Sequence, residues 1–314
     1  MPSFDVVNYS LRPSKSVQRQ VVFEGVRRLQ SVLDWAGLVY VGFGSIWFTD
    51  YVMAHKLLGI DDMVSIESDE IGYRRAVFNS PYATVRVLQG LASEVLPTLY
   101  DDALVARRPW MVWLDYDYEF DETIADDLRS LIEHAPVSSL LLVTFNGSEI
   151  KYGHANERIE RLKQVFGAVV PDDLTKQACR GEHMQETLAN FAIDFMQSIA
   201  EDLARPGGFV PAFRLIYKDT APMVTVGGLL PPRGAARTAA DLVRDISWPC
   251  RPAKPITAPH LTIREATVLQ SQLPRPSRLT RDLVRGLGFD LEEGQIEAFE
   301  TYYRQYPAFA QIVA

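Results

Sequence analysis

The chain has 314 residues, of which 47% are hydrophobic and 23% charged, and its net charge at pH 7 is −8. This composition is that of a globular protein long enough to bury a full core, with room for one large domain and a small appendage. The negative net charge argues against indiscriminate nucleic-acid binding, which needs clustered cations. No stretch approaches the roughly 20 apolar residues that a membrane-spanning helix requires.

The cysteines and the first residues predict a location in the cell. Cys179 and Cys250 lie far apart and have no metal-ligand spacing, which is typical of free thiols in a reducing compartment. Residues 1–16 contain early charges and lack the apolar segment of a secretory signal. Together these features predict a cytoplasmic protein with no membrane segment.

Positive charge is concentrated in two segments. Residues 233–285 hold ten lysines and arginines against four acids, a surplus of six. The second cluster lies near the start of the chain and comprises Arg12, Lys15, Arg19, Arg27 and Arg28. Both segments are either solvated faces or the contact surface of an anionic partner such as nucleic acid, and the sequence leaves this choice open.

Apolar periodicity predicts alternating strands and helices over the first half of the chain. The predicted strands are residues 38–41, 63–66, 83–88, 110–114 and 138–145, and the predicted helices are about 16–33, 48–58, the segment through Arg74 and Ala76, 91–99 and 121–134. Ser14 or Ser16 is the expected N-cap of the first helix. Five strand–helix repeats at short spacing require right-handed crossovers, and these predict an α/β fold with a doubly wound, mostly parallel sheet.

The second half begins with a helical, acidic region, about residues 156–204. Two more strands, 213–217 and 223–227, are joined by a five-residue loop and predict an antiparallel hairpin. The proline-rich stretch after Leu230 indicates a linker or an irregular covering segment, and the tail from 262 predicts two or three short helices. We therefore predict three parts: a cofactor-binding domain over residues 1–230 with a helical insertion at about 151–205, a linker over 231–260, and a small helical region over 261–314.

The residues that end the predicted parallel strands form the candidate ligand site, because open α/β sheets bind ligands beyond the carboxyl ends of their strands. They are Gly42-Phe43-Gly44-Ser45, Glu67, Gly90-Leu91-Ala92-Ser93, Asp115-Tyr116-Asp117 and Asn146. Two glycines in one turn let backbone N–H groups approach a ligand, and a glutamate that ends the second strand can accept hydrogen bonds from ribose hydroxyls. The alternative is a plain tight turn and a solvent-facing Glu67.

In their order, these motifs resemble those of class I S-adenosylmethionine-dependent methyltransferases. The runs that carry the resemblance are Tyr40-Val41-Gly42-Phe43-Gly44-Ser45, Ser65-Ile66-Glu67, Gly90-Leu91-Ala92-Ser93 and Trp113-Leu114-Asp115-Tyr116-Asp117. The chain is most similar to the small O-methyltransferase group that includes catechol O-methyltransferase, over roughly residues 21–230. The resemblance implies a seven-stranded Rossmann-like sheet ending in the antiparallel hairpin, and S-adenosylmethionine as the cofactor.

The same resemblance implies a role for each residue at the strand ends. Gly42, Phe43, Gly44 and Ser45 would form the turn beside the methionine moiety, Glu67 would bind the ribose, Ala92 and Ser93 would lie near the adenine, and Asp115 would stand beside the methyl group. Arg12, Lys15 and Arg19 are candidates for binding a phosphate or the cofactor carboxylate. The chain departs from the family after the fifth strand, where Thr144-Phe145-Asn146 replaces the Asp-Asn pair of the metal-binding members, so no metal site is expected.

Asp115 and Asp117 are the candidate catalytic bases, because methyl transfer is an in-line displacement in which the protein positions the nucleophile and removes its proton. Mutual repulsion among the acids of residues 115–121 is expected to raise some of their pKa values. Tyr116 and Tyr118 are expected to stack on a planar substrate. In the alternative, one aspartate is structural and the other acids are solvated.

Three functional hypotheses follow. The first is an S-adenosylmethionine-dependent methyltransferase whose acceptor is an unidentified RNA, nucleotide or small molecule, with the basic segments favouring an anionic one. The second is a catalytically degenerate scaffold that binds S-adenosylmethionine or a nucleotide, because Tyr40 and Val41 replace the acid that usually ends strand one. The third is a nicotinamide-dependent oxidoreductase, which shares the glycine turn and Glu67 but needs a third glycine where Trp47 stands.

Overall fold

Seven strands form one mixed sheet in the order β3-β2-β1-β4-β5-β7-β6, in a computed structural model that describes residues 12–307. The strands are β1 (Val39–Gly42), β2 (Met63–Glu67), β3 (Val85–Gln89), β4 (Trp110–Glu119), β5 (Ser139–Asn146), β6 (Val210–Lys218) and β7 (Pro222–Leu230). The helices are α1 (Pro13–Leu29), α2 (Thr49–Leu58), α3 (Glu70–Asn79), α4 (Ala92–Tyr100), α5 (Glu122–His134), α6 (Arg158–Phe166), α7 (Gly181–Asp202), α8 (Arg233–Arg244), α9 (Ile263–Gln270), α10 (Arg281–Gly286) and α11 (Glu293–Tyr302). The prediction that residues 1–16 are not a secretory signal falls mostly outside the described residues, as does the end of the predicted tail.

Parallel pairing joins the first five strands, and the last two add an antiparallel hairpin. The chain runs outward from β1 to β2 and β3 and then returns across the sheet to β4, so the strand order reverses between β1 and β4. Such a switch point opens a crevice at the carboxyl ends of the two strands. The predicted fold class, a doubly wound, mostly parallel seven-stranded sheet with a terminal antiparallel hairpin, is confirmed.

The sheet is covered on both faces because its central strands are apolar over long runs. Every residue of β5 is buried, as are the first five residues of β4. One core lies between the sheet and α4, α5 and α7, and the other lies between the sheet and α1, α2 and α8. Apolar runs of this kind are typical of strands that helices cover on both sides.

Two regions that follow the five parallel strands in the sequence, 151–205 and 231–260, cover the sheet. Helix α7, in the region 151–205 predicted as a helical insertion, packs on β6, β7 and α5. In the region 231–260, predicted as a linker or an irregular covering segment, Trp248, Cys250 and Ile256 are buried in the core that α1 covers. Ile256 also pairs with the edge strand β6. This region is therefore a covering segment, whereas the predicted domain boundaries stay a prediction.

The tail forms three short helices, α9 to α11, around a small core of its own. The side chains buried there are Leu261, Leu269, Leu279, Val284, Ile296 and Phe299. Tyr306 joins this core to the rest of the chain, because its hydroxyl donates to the Pro259 carbonyl at 2.7 Å and its ring packs against the core that α1 covers. Within residues 12–307, every helix is too short or too polar to span a bilayer.

Helix α1 begins at Pro13 and uses neither of its predicted N-caps. Ser14 and Ser16 lie inside the helix, and no side chain of its own first residues caps it. The hydrogen-bond acceptor for the start of the helix is Asp219, in the loop between β6 and β7. Its carboxylate accepts from the Ser14 and Lys15 N–H groups at 3.0 Å each. The capping prediction is wrong because a carboxylate distant in sequence satisfies these N–H groups and opposes the positive end of the helix dipole.

Replacing Asp219 with alanine is expected to lower the free energy of unfolding by about 1–2 kcal/mol, because two N–H groups at a helix start lose their acceptor. Urea denaturation followed by circular dichroism measures the change. The matched control is Asp173→Ala, which removes an exposed loop carboxylate that has no hydrogen bond to any of residues 12–307. If the two variants are equally stable, Asp219 does not cap α1.

Candidate active site

The carboxyl ends of β1, β2, β3 and β4 surround a cavity of about 440 Å³. Eight of the nine predicted site residues line it: Phe43, Gly44, Ser45, Glu67, Ala92, Ser93, Asp115 and Asp117. The ninth, Gly42, is the last residue of β1 and lies buried inside the sheet. Asp50, Thr123 and Asp127 also line the cavity, although no strand-end pattern predicts them.

The two glycines of the β1–α2 turn make room for protein atoms. A Cβ atom at Gly42 would lie 2.7 Å from the Trp113 carbonyl oxygen in the neighbouring strand. A Cβ atom at Gly44 would overlap the Ser65 hydroxyl and lie 2.6 Å from the Phe48 ring. The Gly44 N–H already donates to the Ser65 hydroxyl at 3.2 Å. The packing of the turn therefore excludes a side chain at either glycine, and the predicted close approach of backbone N–H groups to a ligand stays a prediction.

Two other residues of this turn adopt left-handed backbone conformations, Ser45 with φ of 48° and Phe48 with φ of 49°. Such conformations cost of order 1 kcal/mol each and persist where the surrounding structure enforces them. Here the Phe48 ring is buried and packs edge-on against Tyr51 at 5.1 Å. The Tyr51 hydroxyl in turn lies 2.7 Å from the Gly42 carbonyl oxygen. Packing therefore holds the turn in one conformation with Ser45 at the cavity.

Glu67 ends β2 and is half-buried at the cavity. It accepts a hydrogen bond from the Asp69 N–H at 3.2 Å, and burial raises its pKa. Asp69 caps α3 by accepting from the Gly72 N–H at 2.7 Å, and the Gly90 N–H donates to the Glu67 carbonyl at 3.0 Å. Glu67 is thus fixed between the start of α3 and the end of β3, and its carboxylate keeps acceptor capacity for a ligand.

Asp115 lies at the centre of a buried group of four charges, the charge cluster, formed by Lys15, Arg19, Asp50 and Asp115. The Asp115 Oδ2 atom is 3.0 Å from Lys15 Nζ and 2.7 Å from Arg19 Nη2, both on α1. Arg19 also binds Asp50 at the start of α2, with Nε 2.6 Å from Oδ1, and its guanidinium lies 5.3 Å from the centre of the Trp113 ring. None of the four charged side chains is more than 10% exposed. The cluster therefore joins α1, α2 and β4 beside the cavity.

The charge cluster lowers the pKa of Asp115, whereas repulsion among the acids of residues 115–121 is expected to raise some of their pKa values. Burial alone would raise the pKa of Asp115, but Lys15 and Arg19 outweigh burial and hold it below its usual value. Burial raises the pKa of Asp50 and lowers that of Lys15. Asp115 is therefore ionised near neutral pH and is a weak base, since an effective general base has a pKa near the working pH.

An aromatic group lines the cavity on the side of α5. The pairing register of β4 with β5 shifts near the end of β4, and such bulges re-aim side chains beside active sites. Tyr116 is buried, packs edge-on against Phe43 at 5.1 Å and donates its hydroxyl to Asp127 Oδ2 at 2.6 Å. Tyr118 remains 37% exposed beside it. Of the two tyrosines predicted to stack on a substrate, Tyr116 is thus packed within the protein and Tyr118 is accessible.

The two basic segments are largely bound within the protein. Lys15 and Arg19 belong to the charge cluster, and Arg28 donates to Glu24 and to the Ser247 carbonyl. In the second segment, the side chains that donate to acceptors of the described chain are Arg233, Arg251, Lys254, Arg275, Arg281 and Arg285. An anionic partner at the remaining arginines stays a prediction.

Thr144, in the run Thr144-Phe145-Asn146 that is expected to follow the fifth strand, is buried inside β5. Thr144 Oγ1 lies 2.7 Å from Thr225 Oγ1 and accepts from Trp113 Nε1 at 3.0 Å. Gln18 donates to Thr225 at 3.1 Å, so this chain of hydrogen bonds connects α1 with β4, β5 and β7. Among residues 12–307, no three or more histidine, cysteine, aspartate or glutamate side chains form a group that could hold a metal ion.

A family model described as "Putative O-methyltransferase" matches residues 7–314 of the chain. Similar solved structures include Trm1 from Pyrococcus horikoshii with S-adenosyl-L-methionine, at 13% identity over 72% of this chain and 58% of that chain, with a TM-score of 0.47. The Methanococcus jannaschii fibrillarin pre-rRNA processing protein is 11% identical over 62% of this chain and 67% of that chain, with a TM-score of 0.36. A SAM-dependent methyltransferase from Anabaena variabilis is 9% identical over 69% of this chain and 86% of that chain, with a TM-score of 0.37. These likenesses are too remote to transfer a substrate. A comparison with curated proteins gave no match.

We expect Asp115→Asn to lower the free energy of unfolding at pH 7 by about 3–5 kcal/mol, because Lys15 and Arg19 would lose the carboxylate that compensates their buried charges. The folded-state pKa of Asp115 is lowered, so the stability from its ionisation is fully present above about pH 4, the pKa of an unfolded aspartate. It is lost as the pH falls through the folded-state pKa. Urea denaturation at several pH values measures both effects.

The matched control for this experiment is Asp126→Asn, which makes the same chemical change at an exposed position of α5. Its free energy of unfolding at pH 7 is expected to stay within about 0.5 kcal/mol of the wild type. A loss in Asp115→Asn no larger than that of the control would show that the charge cluster does not hold α1 to the sheet.

Proposed function

The chain belongs to this O-methyltransferase family, and we propose that it transfers a methyl group from S-adenosylmethionine to an oxygen atom of its acceptor. One observation carries the proposal: three strand ends bring the Gly44–Ser45 turn, Glu67 and Asp115 to the wall of one cavity. The reversal of strand order between β1 and β4, at which α/β proteins bind their ligands, supports the same conclusion. Both the family and the fold agree with the predicted cofactor.

The polar groups at the cavity fit the parts of S-adenosylmethionine. Glu67 has acceptor capacity for the ribose hydroxyls. Asp115 Oδ1 is buried without a hydrogen-bond partner in residues 12–307, and such an oxygen suits the ammonium group of the cofactor. Arg19 is a cation that lines the cavity and suits the cofactor carboxylate. Ala92 and Ser93 begin α4 at the cavity and suit the adenine, as the resemblance implies.

When bound, S-adenosylmethionine would supply the methyl group for an in-line transfer in which the acceptor oxygen bonds to the methyl carbon and S-adenosylhomocysteine leaves as a neutral thioether. The protein has to position the acceptor oxygen and take up its proton. Asp115 is held ionised by Lys15 and Arg19, so we assign it to binding and to electrostatic stabilisation of positive charge. Asp117 lies two residues further along β4 and also lines the cavity, and we assign it the role of proton acceptor.

The charges at the cavity bear on the acceptor. The lining carboxylates are Asp50, Glu67, Asp69, Asp115, Asp117 and Asp127. Within residues 12–307, Arg19 is the one cation that lines the cavity, so the described lining repels phosphate groups and attracts a sulfonium. We therefore propose that the acceptor group entering the cavity is an uncharged hydroxyl. Any anionic part of a larger acceptor, such as an RNA or a nucleotide, would stay outside, near the basic segments.

We also propose that the protein works in the cytoplasm. Cys179 and Cys250 are both free and buried. Free thiols are the usual state of cysteines in a reducing compartment. Thiol titration of the denatured chain without reductant is expected to find both cysteines free.

Two alternative functions have less support. The scaffold hypothesis starts from the missing acid at the end of strand one, but Asp50 provides a buried carboxylate in the next helix and reaches Asp115 through Arg19. A nicotinamide-dependent oxidoreductase would need a third glycine at Trp47, and the family match is to methyltransferases.

Calorimetric titration of the full chain with S-adenosylmethionine and S-adenosylhomocysteine tests the proposed function, and both ligands are expected to bind. Glu67→Ala is expected to weaken both about 10- to 100-fold, because a hydrogen bond to a charged group contributes about 1.5–3 kcal/mol. Glu70→Ala is the matched control. It removes an exposed glutamate that pairs with Arg74 outside the cavity, and its affinities are expected to equal those of the wild type.

The absence of both heat and thermal shift with either ligand would contradict the proposed function. Binding without transfer of labelled methyl groups to any component of a cell extract would favour the scaffold. Tight binding of NADH in a fluorescence titration, together with no binding of S-adenosylmethionine, would favour the oxidoreductase.

A further inference from the structure

Asp127 is a buried carboxylate that no cation of the described chain compensates. It lies in the second turn of α5, is 2% exposed and lines the cavity. Its Oδ2 atom accepts the Tyr116 hydroxyl at 2.6 Å. The charged side chains that act on it are those of Asp121 and Asp126, both acids, and burial raises its pKa. A carboxylate in this setting is costly until a further hydrogen-bond donor reaches it.

Asp127 lines the same cavity as Glu67 and as Ala92 and Ser93, the two residues that suit the adenine. Helix α5, which carries Asp127, packs beside α4, which begins at Ala92. A ligand whose ribose lies at Glu67 and whose base lies at the start of α4 therefore has its base in the part of the cavity where α4 and α5 meet, and Asp127 is a carboxylate of α5 that lines this cavity.

We propose that Asp127, oriented by Tyr116, accepts a hydrogen bond from the exocyclic 6-amino group of the cofactor's adenine and so selects adenine over 6-oxo purines. The inference rests on the proposed function, because it places the cofactor ribose at Glu67. Tyr116 occupies one carboxylate oxygen, and Oδ1 remains for the amino group. A hypoxanthine ring would present its own oxygen acceptor to that carboxylate, and two acceptors that face each other leave a buried polar group unpaired.

The test compares S-adenosylhomocysteine with S-inosylhomocysteine by calorimetry on the full chain. The wild type is expected to bind the adenine ligand about 10- to 100-fold more tightly. In Asp127→Asn, the amide oxygen can still accept the Tyr116 hydroxyl, which leaves the NH₂ group to face the cavity as a donor. This variant is therefore expected to lose the preference for adenine or to prefer hypoxanthine.

Asp126→Asn is the matched control, because it removes the neighbouring charge of the same helix at an exposed position outside the cavity. Its ratio of the two affinities is expected to equal that of the wild type. The same ratio in Asp127→Asn as in the wild type would overturn the proposal, as would a wild type that binds both ligands equally. A wild type that binds neither ligand would instead contradict the proposed function.

Tyr116→Phe provides a second variant if Asp127→Asn does not fold. It keeps the aromatic ring that packs on Phe43 and removes only the hydroxyl that holds the Asp127 carboxylate. Its preference for the adenine ligand is expected to fall several-fold, because the carboxylate is no longer held toward the base. A preference as large as that of the wild type would overturn the proposal.

Discussion

The Asp115 carboxylate is the group on which the arrangement of α1, α2 and β4 depends. One oxygen atom, Oδ2, binds both Lys15 and Arg19, and Arg19 extends the connection to Asp50. Buried charges are costly unless they are compensated, so these side chains hold one another in place. As a result α1, which precedes all seven strands of the described sheet, contributes Arg19 to the wall of a cavity that lies at the ends of strands.

The hairpin at the far end of the sheet positions the same helix. Asp219 accepts the first N–H groups of α1, and Gln18 reaches Thr225 in β7. Ser14 and Asp219 are 205 residues apart in the sequence, so the start of α1 is held by a part of the chain that is made much later. A helix fixed from two sides presents Arg19 to the cavity in a single arrangement, which is the preorganisation that binding sites need.

The sheet and most of the site could be predicted because their signals are local. Uninterrupted apolar runs predict the central strands, and residues such as Glu67 and Asp115 follow directly from where a strand ends. Contacts between distant segments, such as the cap from Asp219, have no local signal. Asp127, which the strand-end pattern does not predict, has a local signal of another kind. It lies three residues after Ile124 and four before Leu131, both buried, so an acid stands on the apolar face of a helix. An acid at such a position indicates a buried partner or a ligand.

Asp115 and Asp127 are both buried at the cavity, and they differ in how their charges are compensated. Asp115 has two cations of the protein beside it and stays ionised, so its pairs fix the structure before any ligand arrives. Among residues 12–307, Asp127 has only the Tyr116 hydroxyl as a donor, so its remaining oxygen is available to a donor from a ligand. A ligand that satisfies the whole site has to bring positive charge to one end and a neutral hydrogen-bond donor to the other. An adenosine joined to a charged amino acid by a sulfonium has both, and this match between charge and position connects the fold to the proposed chemistry.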